Sequence, residues 1–298
     1  MNLLSVLRYK VKCTCKNYFR QVTLRKLKEE ILQYYLKFPP RDNTIASAVS
    51  YLHKHHICTF PAPFFDKYVE NQIAVFKDNS NGLLYVLQEG KKLYFKRSYN
   101  IITVRKCFCG LITEQDEHSP HRYTNKQFNI GKGDVLFDIG SAEGNIALSH
   151  IEDLKAVVLF ERDKEWLEAL EATFAPWRDK VTIVGKFVSN TNDESHISID
   201  SFLKTYQYKP TFIKIDVEGA ENLVLDGMKN LMASTIIKIA LCTYHQPDDY
   251  ERFYDEFLHR GFELTSSEGV MLYLNDIAHM RPPYFRKGLL RIITSSNG

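Results

Sequence analysis

From Asp134 onward the chain repeats one rhythm, a short apolar run, a turn and an amphipathic helix. The runs are "VLFDI", "AVVLFE", "VTIVG", "TFIKID" and "IIKIALCTYH". Strand–helix alternation of this kind defines an α/β domain with a mainly parallel sheet. The intervening helices carry apolar stripes. Trp166, Leu167, Leu170 and Phe174 form one, and Ala220, Leu223, Val224, Gly227, Met228 and Leu231 form another. Asp248 is placed to cap a further helix bearing Tyr250, Phe253, Tyr254, Phe257 and Leu258, with Gly261 just past its end. "FELTSS" and "VMLYLN" are expected to close the sheet as an antiparallel hairpin.

Ahead of this region, "LRKLKEEILQYYLKF" places Leu24, Leu27, Ile31, Tyr34 and Tyr35 at helical spacing until Pro39-Pro40 stops it. A second helix is expected over about Asn43–His55. Three short strands follow in residues 72–96, separated by "NSNG" and "EGK". The expected organisation is a basic helical region (1–56), a small α+β cap (57–130), the α/β domain (131–280) and a C-terminal tail (281–298).

Composition bounds the class. Of 298 residues, 44% are hydrophobic and 25% charged, which suits ordinary globular material. No apolar run approaches the ~20 residues of a spanning helix, and the N-terminus does not read as a signal peptide. The six cysteines form two Cys-x-Cys pairs and no Cys-x-x-Cys, so free thiols in a reducing cytoplasm are expected. The net charge of +3 hides an asymmetry: residues 1–41 carry +8, leaving −5 for the rest. Such an arm suits either a solvated helix face or peripheral contact with anionic lipid on the inner face of a membrane.

The loop after the first strand is "DIGSAEGN". In an open α/β sheet the ligand crevice lies beyond the carboxyl ends of the strands. Here Asp138 ends the strand, Gly140 permits a tight turn, and Gly144 opens the next helix. The spacing is neither a dinucleotide fingerprint nor a Walker loop. An acid just before the glycines disfavours phosphate and suits a cationic ligand such as S-adenosylmethionine. The second strand ends in Glu161, at the distance where an acid meets ribose hydroxyls in related folds. The cofactor candidates are therefore Asp138, Gly140, Ser141, Glu143, Gly144, Asn145, Glu161 and Asp216.

A second constellation is "FIKIDVEGAENLVLDGM", with "YH" at the end of the following strand. Asp216, Glu218 and His245 are expected to open onto one crevice. Together with "FDIGSAEGN" and "LFERD", this block resembles the FkbM-type family of S-adenosylmethionine-dependent methyltransferases over roughly residues 118–275. The resemblance implies a Rossmann-like seven-stranded methyltransferase sheet and methyl transfer to a hydroxyl of a sugar, polysaccharide or glycolipid precursor, or a similar small acceptor. It implies cofactor roles for Asp138, Gly140, Gly144 and Glu161, and places Asp216, Glu218 and Gly219 in the second motif. Glu143 departs from the usual loop pattern.

An alcohol becomes a good nucleophile only when its proton is removed, which nominates His245 or Asp216 as base. A divalent ion held by Asp216, Glu218 and His245 is the alternative route. His118, His121 and Arg122 are candidates to grip substrate, as is Glu218. Ser119 and Pro120 equally suit a plain helix start there. His53–His56 sits at a helix end and is read as dipole complement. "RPPY" (281–284) resembles a motif of amino-methylating enzymes but lies past the sheet, so nucleic acid is disfavoured. A nucleic-acid methyltransferase using the basic arm and a non-catalytic cofactor scaffold are the rival readings.

Overall fold

The computed structural model describes residues 3–295, with side chains described from Phe19 onward. Side chains of much of the basic arm, Cys13 and Cys15 included, lie outside the described residues. The chain forms two compact units. The first comprises the residues up to Phe65 with Gly269–Arg286, and the second Asp66–Glu268 with the residues from Lys287.

In the first unit, α1 (Leu3–Lys37) reaches further back than its spacing indicates, and α2 is Asn43–Lys54. Asp42 caps α2, its Oδ1 accepting from the Thr44 amide at 2.7 Å. Leu27, Ile31 and Tyr35 share one face of α1 and pack with Ala48, Leu52, Val270, Leu272, Met280 and Phe285. The expected hairpin of "FELTSS" with "VMLYLN" does not form. Leu272 instead donates its amide to Thr59 (2.8 Å), and Met271 pairs with Arg286. The "RPPY" segment is part of this packing: the Tyr35 hydroxyl donates to the Pro283 carbonyl, and Tyr284 meets Tyr34 edge-on. The His55 ring stacks on Tyr51. Among the described residues no helix is long and apolar enough to cross a membrane.

The second unit begins with a small antiparallel sheet (Phe76–Lys77, Leu84–Gln88, Lys91–Tyr94) and α3 (Ile101–Glu114), capped by Asn100. A seven-stranded sheet follows. Its strands are β1 (Val135–Ile139), β2 (Ala156–Phe160), β3 (Val181–Val184), β4 (Phe212–Ile215), β5 (Lys238–Cys242), β6 (Glu263–Ser266) and β7 (Leu289–Ile293). Their spatial order is β6-β7-β5-β4-β1-β2-β3. β1 to β5 run parallel, and β7 lies antiparallel to both β5 and β6. The residues expected to form a tail therefore supply an internal strand. That strand was passed over because "GLLRIIT" follows a Pro-Pro segment and has no helix beside it.

Parallel strands covered on both faces read as continuous apolar runs. Phe137, Ile139, Val158, Phe160, Ile213, Ile215, Ile239, Leu241, Leu290 and Ile292 are all buried in one core, against Phe202, Val224, Met228, Phe253 and Phe257 from the helices. Two expected caps are absent. Asp248 makes no side-chain cap, and Asp249 instead accepts from the Gln246 amide. No helix starts at Ser119. Asp116 and Ser119 take the amides of His118 and His121, while the Arg291 guanidinium takes the carbonyls of Arg122 and Tyr123. Those local bonds compete with helix formation.

Candidate active site

The strand order reverses between β1 and β4, and the loops after their carboxyl ends meet there. Gly140 (φ +74°) begins the first loop. A Cβ on it would lie 2.0 Å from the Asp216 carbonyl oxygen, so no other residue fits. The Gly140 and Ser141 amides both donate to the Phe160 carbonyl, and the Ser141 hydroxyl donates to the Asp138 carbonyl at 2.7 Å. Ala142 is left-handed (φ +44°), with its amide 3.0 Å from Glu161 Oε2. Glu161 Oε1 accepts from the Arg162 and Asp163 amides.

Other members of the loop face inward. Gly144 is needed from below: a Cβ would meet the Phe174 ring at 2.8 Å and Leu170 at 2.9 Å on the helix Lys164–Phe174. Asn145 Oδ1 accepts from the Ile146 amide, and its carbonyl from Gln88. Glu143 is buried and accepts from the Cys107 thiol of α3 at 2.9 Å, with burial pushing its carboxyl up. Asp138 is 1% exposed and does not open onto the crevice as the loop spacing led one to expect. Its Oδ1 lies 3.1 Å from the ammonium of buried Lys214 on β4.

The second loop gathers the chemistry. Asp216 accepts from the Tyr123 hydroxyl (2.9 Å, Oδ2) and the Tyr244 hydroxyl (3.2 Å, Oδ1). His121 Nε2 lies 3.6 Å from Oδ2, and His245 Nε2 lies 3.5 Å from Oδ1. Burial alone would raise the Asp216 carboxyl, but His121, Lys214 and His245 outweigh it and hold it far below the carboxylate range. Asp216 is thus held as a carboxylate between two tyrosine hydroxyls and two imidazoles.

His245 is different. Its Nδ1 is 2.8 Å from Oε1 of buried Glu221, while Nε2 faces Asp216 and, at 3.7 Å, Glu218. Burial pulls the imidazole down, but the Glu221 contact and the Asp216 charge raise it overall. Glu221 Oε1 also accepts from the Val217 and Gly219 amides, which fixes it to its own loop. Glu218 is left-handed (φ +55°), and its side chain is 73% exposed at the loop tip.

His121 belongs to this cluster rather than to an open substrate face, its Nε2 lying 3.1 Å from the Tyr244 hydroxyl. His118 is exposed beside Glu117. Arg122 lines a separate cavity of about 410 Å³ with Gln88, Gln115, Asn145 and Ser149. The compact metal-compatible sets among the described residues are Asp216–Glu221–His245 and His121–Asp216–Cys242, so Glu221 stands where Glu218 was expected. In both sets, tyrosine hydroxyls already donate to both oxygens of Asp216.

Tyr123, Lys214, Glu221 and Tyr244 were missed. Two signals were available: a lysine inside an apolar strand, and the second acid of "EGAE" one helical step from the first.

The order β6-β7-β5-β4-β1-β2-β3, with one antiparallel strand and a crevice at the switch point, is the seven-stranded methyltransferase sheet. Residues 117–264 match the methyltransferase FkbM domain, so this part of the chain carries that domain. Among solved structures, the methyltransferase FkbM from Methylobacillus flagellatus KT is 14% identical. The match covers 77% of this chain and 58% of that one, with a TM-score of 0.44. Precorrin-6y C5,15-methyltransferase from Geobacter metallireducens GS-15 is 13% identical over 57% of this chain and 83% of that one, with a TM-score of 0.39. Streptococcus pneumoniae Sp1610 in complex with S-adenosyl-L-methionine is 14% identical over 56% and 69%, with a TM-score of 0.36. The chain spans less than two thirds of the first of these proteins. No curated protein matches it.

Proposed function

We propose that this methyltransferase uses S-adenosylmethionine to methylate a hydroxyl of a sugar, polysaccharide or glycolipid precursor, with His245 as general base. The observation that carries the reading is the pairing of His245 Nδ1 with buried Glu221 at 2.8 Å, which puts Nε2 beside Asp216 and the exposed Glu218 at the loop tip.

The residues present fit a cationic cofactor. The loop would meet it with the backbone around Gly140 and Ala142 and with the Glu161 carboxylate, while the nearby cation, Lys214, is already engaged by Asp138. The cofactor supplies the electrophilic methyl carbon. The protein's own part is alignment and proton removal. Glu221 holds the imidazole with its proton on Nδ1, so Nε2 is the atom that would accept the acceptor's hydroxyl proton. As the imidazolium forms, Glu221 and the permanently ionised Asp216 stabilise its charge, the arrangement of an acid-supported histidine base. Tyr123 and Tyr244 keep Asp216 in place for that task.

The test is transfer of labelled methyl from S-adenosylmethionine to a panel of hydroxylated glycans and lipid-linked sugars, with amines and RNA as competitors. His245→Ala is expected to lower kcat by about 10²–10⁴ with the cofactor still bound. An unchanged kcat removes His245 from its role; label entering only amines or RNA overturns the acceptor class.

A further inference from the structure

Lys214 is a cation in the middle of an apolar strand, 4% exposed, with β1 on one side and β5 on the other. Burying an ammonium is costly unless it is paired and hydrogen-bonded. Its contacts concentrate where β1 becomes the first loop. Nζ lies 3.1 Å from Asp138 Oδ1, 3.5 Å from the Ile139 carbonyl, and donates to the Gly140 carbonyl. The Tyr123 ring covers it at 5.6 Å. Gly140 is pressed from its other side by the Asp216 backbone, since not even a methyl group fits between them. The first residue of the loop is thus held between an ammonium and a peptide carbonyl of the neighbouring loop.

We propose that Lys214 is the positioning residue of the cofactor loop: its ammonium fixes the Gly140 carbonyl and neutralises Asp138, setting the backbone that receives S-adenosylmethionine. The inference rests on the cofactor reading above. It assigns Asp138 an indirect part, as the counter-ion that keeps Lys214 in place. A pair serving only to fasten β1 to β4 would look the same in a static view, but would leave cofactor affinity alone once the protein is folded.

The charged groups facing Asp138 are Lys214, Asp216 and Glu161, and those facing Lys214 are Asp138 and Asp216, with the Cys242 thiol, pushed up by burial, beside them. Burial already pushes the Asp138 carboxyl up, and Lys214 is the cation that opposes it. Without Lys214 the upward push of burial on Asp138 loses its main opponent, so stability should fall further as pH climbs from the unfolded aspartate value.

Two variants of the full chain, Lys214→Met and Lys214→Arg, are compared with the wild type. Thermal unfolding without cofactor is followed from about pH 4 to 9, a window that begins near the unfolded aspartate value, and S-adenosylmethionine binding is measured by calorimetry at about pH 6. Lys214→Met is expected to melt progressively lower than the wild type as pH rises, and to bind about tenfold or more weakly even at pH 6. Lys214→Arg keeps the charge on a wider, planar group, so it should keep the wild-type pH profile of melting and still lose affinity several-fold. A folded variant of either kind that binds within about twofold of wild type overturns the positioning role. A Lys214→Met profile that parallels the wild type overturns the pairing with Asp138. If Lys214→Met does not fold, the arginine variant decides. A wild type that binds no cofactor would sink the cofactor reading instead, while the melting profiles still judge the pair.

Discussion

Replacing Glu221 by glutamine removes one negative charge and almost nothing else. Both Glu221 and His245 are buried, and the glutamine oxygen can still accept from the Val217 and Gly219 amides and from Nδ1. What is lost is the difference between a charge-assisted and a neutral hydrogen bond, about 1 kcal/mol. Glu221→Ala is harsher: it leaves two amides and an imidazole without their acceptor, a loss of about 3–5 kcal/mol for a broken buried pair.

The two consequences of the glutamine variant have definite signs. Glu221 is the largest influence raising His245, so its charge contributes stability that is full below the imidazole's unfolded value. That contribution disappears as pH rises through the higher folded value. Wild type and Glu221→Gln should therefore differ most in melting temperature on the acid side of about pH 6.5 and converge only as pH passes the higher folded value. In catalysis the base must be neutral, so the acid limb of the kcat profile should move to lower pH in the variant. Its plateau should fall about 10- to 100-fold because the imidazolium loses its partner. The assay is a pH–rate profile of labelled methyl transfer beside a pH series of melting curves. An acid limb that stays in place with an unchanged plateau would refute the Glu221–His245 pairing as the working unit.

Gly140→Ala forces a methyl group into the space of the Asp216 carbonyl and a left-handed backbone at φ +74°. A loss of about 1–3 kcal/mol from the backbone alone, with cofactor affinity falling alongside, is expected by urea unfolding and calorimetry; a neutral outcome would mean the two loops separate freely. Glu114, at the end of α3, is pushed up to about 7 by burial, helped by Asp216 and Glu143 and opposed by His121 and Lys214. A raised acid contributes stability that is complete below its unfolded value near 4.5 and is lost as pH climbs through about 7. Glu114→Gln should thus raise stability at about pH 8 by at most about 3 kcal/mol, read as a higher melting temperature, and far less at about pH 5; equal shifts at both would contradict that environment.

The sheet was legible because its chemistry is local. The runs of β1 to β5 are short and largely apolar, three of them lead into Glu161, Asp216 and His245, and the helical stripes between them repeat at the expected spacing. The loop glycines could be picked out, since a tight turn at a strand end demands them. Direction was harder to read. Asp138 and Asp216 occupy equivalent places at the ends of neighbouring strands, yet one turns inward to Lys214 and the other outward to two tyrosines and two histidines. Nothing in a one-dimensional pattern distinguishes them, because the deciding partner lies 76 residues away from Asp138. Tyr123 illustrates the same limit: it is 93 residues from the carboxylate it binds. Glu221 was closer to reach, in the same short motif as Glu218. Left-handed Glu218 and helical Glu221 end up on different sides of His245, and only the backbone path decides which one touches Nδ1.

The strand order also fixes a timetable. β6 has one neighbour in the sheet, β7, and the ribosome delivers β6 first. Between them the chain must emit Gly269–Arg286, which belongs to the other unit. At ordinary rates of synthesis that is an interval of about 1–5 s in which β6 has no partner and the edge of β5 stands open. Open edges are templates for other chains. A nascent chain stalled before Leu289, or a product ending there, would present both at once, with the apolar surface normally covered by Leu290 and Ile292. Completion of the sheet during synthesis therefore turns on the arrival of five residues, Leu289–Ile293, one of which, Arg291, also holds the backbone of Tyr123 beside Asp216.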